Sequence, residues 1–214
     1  GRQMADGLSN PEIQKIVTLR NHHVYCNYAA AVVGYFITQD MHARGYLDDK
    51  LVERLMPSTH DNNPLAGTNP SHDFAGALQL TNNIKDFHED YQNGISRWPL
   101  ELLKDRNLKR RELANPRISG QKLESAMEVL VEQIDDAKRF FPSAVKWVDE
   151  IPYVVRGKPK SSLKGIKKSW ATALALSAAT LSKINSKRFF TDEPNRKLSR
   201  EEVLEIAQTV DIAV

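Results

Sequence analysis

Gln79, Asn82, Asn83, Asp86 and Asp90 lie close together in the stretch QLTNNIKDFHED (79–90). At about 100° per residue in a helix, all five project within roughly a third of the circumference. That makes one polar face bearing two carboxylates a single turn apart. Like charges at this spacing repel by a few tenths of a kcal/mol on an exposed helix, and by more where water is excluded. A divalent cation removes the repulsion. Mg²⁺ takes oxygen ligands from one or two carboxylates, keeps several waters and completes its shell with substrate phosphates. Asn82, Asp86 and Asp90, at i, i+4 and i+8, offer three oxygens along one line. The competing reading is an ordinary solvated helix face. Leu80, Ile84, Phe87 and Tyr91 form an apolar stripe beside the polar one, so this helix has a core side.

A second segment upstream bears on the choice. YCNYAAAVVGYF (25–36) places Tyr25 and Tyr28 among Ala29, Ala30, Ala31 and Gly34. Small residues of this kind permit close helix packing, or leave room for an apolar ligand. The remaining chemistry-bearing residues point elsewhere. His22 and His23 are adjacent, project to different sides of a helix, and read as surface or capping residues. His60, His72 and His88 have no mutual ligand spacing. The basic runs KDRNLKRR (104–111) and RGKPKSSLKGIKK (156–168) read as solvated surface, with attraction to anionic lipid headgroups as the functional alternative.

The elements that must hold these residues are helical. Sustained alternation of apolar and polar residues is absent, while helix caps recur, so the chain is expected to be all α. Asn10-Pro11-Glu12 opens a short helix ending near His22. A long helix follows from about Val24 to Ala43, stopped by Gly45. Asp48 to Met56 is a shorter helix, THDNNPLAGTNP (59–70) is a loop, and the helix carrying the polar face runs from about Ser71 to Gln92, ended by Asn93-Gly94. Pro99 starts a short helix, Ser119 to Phe141 a longer one interrupted by Pro142, and Leu163 to Ile184 another. Ser199 and Glu202 form a capping box for the last. Trp98, Trp147 and Trp170 are expected in the core.

The 214 residues, 41% of them hydrophobic, suffice for one large domain. Thirty Lys and Arg against 27 Asp and Glu leave a net charge of +3, which gives no argument for nucleic acid. The single cysteine, Cys26, excludes an internal disulfide and suits a reducing compartment, so the cytoplasm is the expected location. The longest apolar stretches, 28–37 and 170–181, fall short of the ~20 residues of a membrane span. Attachment to a membrane surface would therefore be peripheral. The chain opens on Gly1 with no signal-peptide pattern, and is expected to be a processed chain or a fragment.

Taken together, YCNYAAAVVG (25–34) and QLTNNIKDFHED (79–90) resemble the squalene and phytoene synthase family, in which YCxYVAGxVG precedes QxTNIxRDxxED. NGISRWPLELL (93–103) is similar to the squalene-synthase form, with an aromatic residue directly before proline. ATLSKINSKRFFTDEPNRKLSREEV (179–203) is similar to the C-terminal part of squalene synthases, and Lys197 and Arg200 stand in its loop. The resemblance implies an all-α isoprenoid synthase bundle around a central cavity, of which residues 1–214 would be the C-terminal part, incomplete at the N-terminus. It implies head-to-head condensation of two prenyl diphosphates, with farnesyl diphosphate giving presqualene diphosphate and then squalene, and Mg²⁺ and NADPH as cofactors. By matching positions, Asn82, Asp86 and Asp90 would be metal ligands, Gln79 and Lys85 would face substrate, Tyr25 would be catalytic, and Lys197 and Arg200 would approach the nicotinamide cofactor.

The departures from the family pattern carry their own expectations. Lys85 replaces an arginine, giving a point charge instead of a planar fork. Ala31 replaces a glycine. Ile95 stands where an arginine often precedes the aromatic-proline pair, with Arg97 two positions on, and Ser199 replaces a basic residue. The family's first Asp-rich motif lies upstream of the tyrosine helix, yet no Asp-x-x-x-Asp precedes Tyr25 here. Either a longer protein or a second chain would then supply the other half of the clamp, or the chain would not be catalytically competent alone. The open alternatives are phytoene or dehydrosqualene synthesis, a terpene cyclase or chain-elongating synthase of the same broad fold, and a non-catalytic helical assembly protein derived from the family.

Overall fold

The computed structural model describes residues 16–57, 69–152, 155, 157, 160–192 and 197–213, and among them every regular element is a helix. The first, α1 (Leu19–Cys26), is started by Thr18, whose hydroxyl accepts from Asn21 N at 3.0 Å while Asn21 Oδ1 accepts from Thr18 N at 3.2 Å. This reciprocal capping box satisfies two of the orphan amides at a helix start. The chain then passes without a break through a π-helical segment, Asn27–Ala31, into α2 (Val32–Ala43). The sequence reading divides this rod between His22 and Val24; the division lies instead at Thr18. The expected cap at Asn10-Pro11 falls outside the described residues. Gly45, at φ 71°, ends the rod as expected.

Asp48 accepts from Leu51 N at 2.8 Å and opens α3 (Asp49–Leu55). Asn69, with Pro70 behind it, opens α4 (Pro70–Lys85), and Asp86 joins α4 to the short α5 (Phe87–Gln92). Two further short helices, α6 (Leu100–Lys104) and α7 (Arg110–Leu113), lead to α8 (Gly120–Lys138). Pro142 does break the chain after α8, but by starting the next helix, α9 (Phe141–Glu150), in whose first turn its missing N–H costs nothing. The long α10 (Lys160–Ile184), α11 (Arg188–Thr191) and α12 (Arg200–Ala213) complete the chain. The predicted box opens α12: Ser199 N donates to Glu202 Oε2 at 2.6 Å, and Glu202 N to Ser199 Oγ at 3.2 Å.

The central helix is α4, packed against α2, α8, α9, α10 and the π segment. Buried aromatic rings bind its two ends to the rest. Phe74 stacks on Trp147 with centroids 4.3 Å apart, while Phe87 lies 4.5 Å from Trp98, which in turn stacks on Phe189. Trp98 and Trp147 are wholly buried, and Trp170 is partly buried against the same core. Where α2 crosses α4 the backbones nearly touch: a Cβ placed on Gly34 would sit 1.9 Å from Ser71 O. Beside this crossing, Thr38 Oγ1 meets Ser71 Oγ at 2.8 Å and accepts from Trp147 Nε1 at 2.9 Å. The small-residue seam of the upstream helix therefore serves packing.

Several residues of the basic runs are engaged by the fold, while Lys104, Lys109 and Arg111 are exposed. Arg106 bridges Glu128 and Glu132, and Arg110 donates to Ile16 O and Trp98 O. The buried Lys167 ammonium caps the end of α9, donating to Asp149 O at 2.8 Å and Ile151 O at 3.4 Å. Among the described residues no helix is long and apolar enough to cross a membrane.

Candidate functional site

The polar face is built on a run of backbone hydrogen bonds that keeps its spacing through the junction of α4 and α5. Asp86 has φ −87° and ψ 10°, outside regular helix geometry. Even so, Asp86 N donates to Asn82 O at 2.9 Å and Asp90 N to Asp86 O at 2.8 Å. Successive i→i−4 bonds thus tie the three residues together, so Asn82, Asp86 and Asp90 stay one turn apart. The Asp86 carboxylate makes no helix cap; Oδ1 accepts from Lys85 Nζ at 2.6 Å. Asn82 is exposed, while Lys85, Asp86 and Asp90 are half-buried.

Burial then divides the five polar residues that the helical wheel groups together. Asn83 is buried, at 4% exposure, and turns inward. Its amide Oδ1 accepts from Gln79 Nε2 at 2.9 Å, and its Nδ2 lies 2.9 Å from His22 Nε2 and 3.4 Å from Cys26 Sγ. Gln79 is thereby tied to the interior through its amide nitrogen. An Asn amide nitrogen can only donate, so His22 Nε2 accepts and the ring is neutral with its proton on Nδ1. Burial, reinforced by His23, lowers the His22 pKa to about 3. Burial likewise pushes the Cys26 thiol up, so this cysteine is a packed thiol and not a nucleophile.

His22 and His23 are thus not the surface residues expected from sequence. His22 is 1% exposed and His23 is 7% exposed. Adjacent positions do project apart, and each ring finds its own helix: His22 meets Asn83 on α4, and His23 Nε2 lies 2.6 Å from Asp136 Oδ2 on α8. These contacts fasten α1 to α4 and to α8. They could not be read from the sequence, since the partners stand 61 and 113 residues away.

Tyr25 comes to the same region. Its ring is buried beneath Arg97, whose guanidinium carbon lies 4.2 Å from the ring centroid. Burial raises the Tyr25 pKa and Arg97 opposes that shift. The Asp90 carboxyl is also pushed up, first by burial; Arg97 and Lys85 pull it back, while Asp86 and Glu89 add to the rise. A carboxylate so placed gains from a cation. Arg97 thus lies over Tyr25 and within electrostatic reach of Asp90, an arrangement hidden in the sequence because Tyr25 stands 72 residues before Arg97.

The two C-terminal candidates lie at the edge. Lys197 Nζ reaches Glu89 Oε2 at 3.2 Å, with both side chains exposed, which brings Lys197 alongside α5. Arg200 is the exposed first residue of α12. A groove of about 250 Å³ between α9 and α10, lined by Phe141, Val148, Leu174 and Ala178 among others, contains none of the predicted site residues.

The donor set fits a hard cation: two carboxylates one turn apart, an amide oxygen a further turn away, and no helix cap competing for Asp86. Among the described residues no group of three or more His, Cys, Asp and Glu could hold a metal alone. Oxygens from substrate or from another protein segment would complete the shell.

A sequence model described as squalene/phytoene synthase matches residues 4–202. Squalene synthase ERG9 of Gibberella zeae is 27% identical over 150 residues, covering 68% of this chain and 30% of that protein. Squalene synthase ERG9 of Candida albicans is 33% identical over 105 residues, 48% of this chain and 20% of that protein. Among solved structures, the complex of TcSQS with the ligand E5700 has a TM-score of 0.75 at 21% identity, covering 96% of this chain and 53% of that one. A dehydrosqualene synthase in complex with a ligand gives 0.64 at 15%, covering 99% and 63%. The chain thus spans 30% of the first curated relative and about half of the TcSQS chain. At these identities the structural likeness shows the fold, which is the all-α isoprenoid synthase fold expected from the sequence.

Proposed function

Because this chain belongs to the squalene/phytoene synthase family, we propose that it carries one half of a Mg²⁺ and diphosphate clamp for head-to-head condensation of two farnesyl diphosphates, giving presqualene diphosphate and then squalene. The observation that carries the reading is the hydrogen-bonded Asn82, Asp86, Asp90 run with Tyr25 and Arg97 beside it.

Asn82, Asp86 and Asp90 would hold the metal, which supplies charge neutralisation for the departing diphosphate. Asp86 keeps Lys85 at its side, so an ammonium stands ready at the metal-binding edge without competing for both carboxylate oxygens. Asn83 accepts from the Gln79 amide nitrogen, and the Gln79 carbonyl would face metal-bound water or substrate. Tyr25 presents a ring that stabilises positive charge and a hydroxyl kept protonated by burial, suited to moving a proton near the reacting carbons. The opposing Asp-rich motif would come from a longer protein or a second chain.

The squalene product and the use of NADPH are the finer parts of the proposal. NADPH would rest on Lys197, already paired with Glu89, and on Arg200 at the start of α12. Dehydrosqualene or phytoene is the second reading, favoured by the likeness to a dehydrosqualene synthase. Peripheral attachment to a membrane and a cytoplasmic site complete the proposal.

The test is incubation of a preparation containing the first Asp-rich motif with farnesyl diphosphate and Mg²⁺, with and without NADPH, and product identification by mass spectrometry. Presqualene diphosphate without NADPH and squalene with it are expected. Dehydrosqualene would move the assignment to the second reading, and no turnover would sink the enzymatic one. Asp86→Asn should abolish metal-dependent diphosphate release while circular dichroism stays unchanged; retained release would remove Asp86 from the site.

A further inference from the structure

Asn83 stands where the pattern QxTNIxRDxxED has isoleucine, and it is buried between α4 and α1. An amide in place of an aliphatic side chain is costly in such an interface unless its donors and acceptor are satisfied. Here they are. Asn83 Oδ1 accepts from Gln79 Nε2 at 2.9 Å, while Nδ2 lies 2.9 Å from His22 Nε2 and 3.4 Å from Cys26 Sγ. His22 Nδ1 has no protein partner, so Asn83 is the contact that sets the tautomer of this ring. With Nε2 as acceptor, the direction of the hydrogen-bonded series is fixed: Gln79 donates to Asn83, and Asn83 donates to His22. The consequence falls on Gln79, one turn before Asn82 and Asn83. Its nitrogen is held inward, while Oε1 has no partner among the described residues and keeps access to solvent.

We infer that Asn83 and His22 are positioning residues for Gln79: the hydrogen-bonded series from α1 turns the Gln79 amide so that its oxygen meets the site, as an acceptor for metal-bound water. The inference rests on the reading of the Asn82, Asp86, Asp90 face as a metal and diphosphate site. An untethered glutamine presents either end of its amide, because a half-turn about its last torsion exchanges oxygen for nitrogen. Tethering to Asn83 removes that freedom. The water shell that Mg²⁺ retains offers donors, which an oxygen can accept and an NH₂ group cannot. Neither His22 nor Asn83 touches the ligand, and both act through Gln79. A buried amide at this position, where the pattern has a hydrocarbon, thus orders a residue of the face one turn away.

Two measurements test this. Nitrogen NMR of the wild-type chain labelled at histidine reads the His22 tautomer directly, with His22→Gln assigning the signal, and the proton is expected on Nδ1. A proton on Nε2 would reverse every donor in the series, turn the Gln79 NH₂ outward and overturn the proposal. Calorimetry with Mg²⁺ and inorganic pyrophosphate uses a preparation containing the first Asp-rich motif, with melting curves to verify that each variant folds. Gln79→Ala, Asn83→Ile and His22→Leu are each expected to weaken binding about three- to tenfold. Once Gln79 is alanine, Asn83→Ile should cost less than about twofold, because its effect runs through that side chain. His22→Gln, whose carbonyl can accept from Asn83, should bind within about twofold of wild type; binding no better than His22→Leu counts against the proposal. Equal weakening by Asn83→Ile with and without Gln79 would show that Asn83 acts through the fold alone, and overturns it. Should Asn83→Ile not fold, His22→Leu in the same two backgrounds decides. Wild-type binding by Gln79→Ala or Asn83→Ile, with binding lost in Asp86→Asn, removes the positioning role and leaves the metal site standing. If wild type binds no pyrophosphate, the reading of the face falls and this assignment falls with it.

Discussion

His22 makes the stability of this fold depend on pH in a direction and window that can be worked out. The ring is buried and accepts from Asn83, so protonation in the folded state would place a cation with no room for it against an amide that donates. Its folded pKa is about 3 against 6.5 for a free histidine. Below 6.5 the unfolded chain takes up a proton that the folded chain refuses, so the unfolded state is favoured as pH falls. The contribution is fully present above 6.5 and is lost as pH drops toward the folded value. Each pH unit in that window costs about 1.4 kcal/mol. At pH 5 the loss is about 2 kcal/mol, or roughly 4–8 °C in Tm for a chain of this size. Urea unfolding at pH 7.5 and 5.0 of wild type and His22→Gln isolates the effect, since carboxylates and other histidines contribute to both proteins. The pH-dependent loss should be about 2 kcal/mol larger in wild type, whatever the absolute cost of the substitution. Equal losses in the two proteins would show that His22 is not held neutral in the folded state.

Three further predictions concern helix packing, two of them at the crossing of α2 and α4 and one on the open face of α10. Gly34→Ala should destabilise by about 1–3 kcal/mol or more, because the new Cβ meets a backbone oxygen that cannot give way; Gly165→Ala, with open space around it, should stabilise by up to about 1 kcal/mol, and paired melting curves check both. Thr38→Val removes the acceptor of the buried Trp147 N–H and a partner of Ser71, with an expected loss of about 1–3 kcal/mol in chemical denaturation.

Helical periodicity made the acidic face legible from sequence, since Asn82, Asp86 and Asp90 need only one local fact, a turn of 3.6 residues, to be aligned. Gly45, Gly94 and the Ser199 box were legible for the same reason: caps and stops act through their own backbone neighbours. The support of the face was not. Asn83 sits on the same arc as Asp86, and only the position of α1 turns it into an interior residue. His22 and His23 read as exposed because two adjacent imidazoles seldom find two separate buried partners. Asn83 and Asp136 come from α4 and α8, and nothing near 22 or 23 announces them. From sequence Arg97 reads only as a displaced arginine; its contact with Tyr25 depends on how the turn before Pro99 returns to α1.

The π-helical segment sets the rotational phase of the first rod. Tyr25 lies before it and Gly34 after it, and both are fixed by outside contacts, one by Arg97 and the other by Ser71. A π turn accommodates about one residue more than an α turn, which offsets the two faces by roughly 100°. The segment is thus the adjustment that lets one continuous helix satisfy a tight backbone crossing at one end and the contact of the Tyr25 ring with Arg97 at the other. Loss of a single residue from 27–31 would return the rod to regular α-helix without breaking it. The crossing at Gly34 could then be kept only by turning Tyr25 away from Arg97.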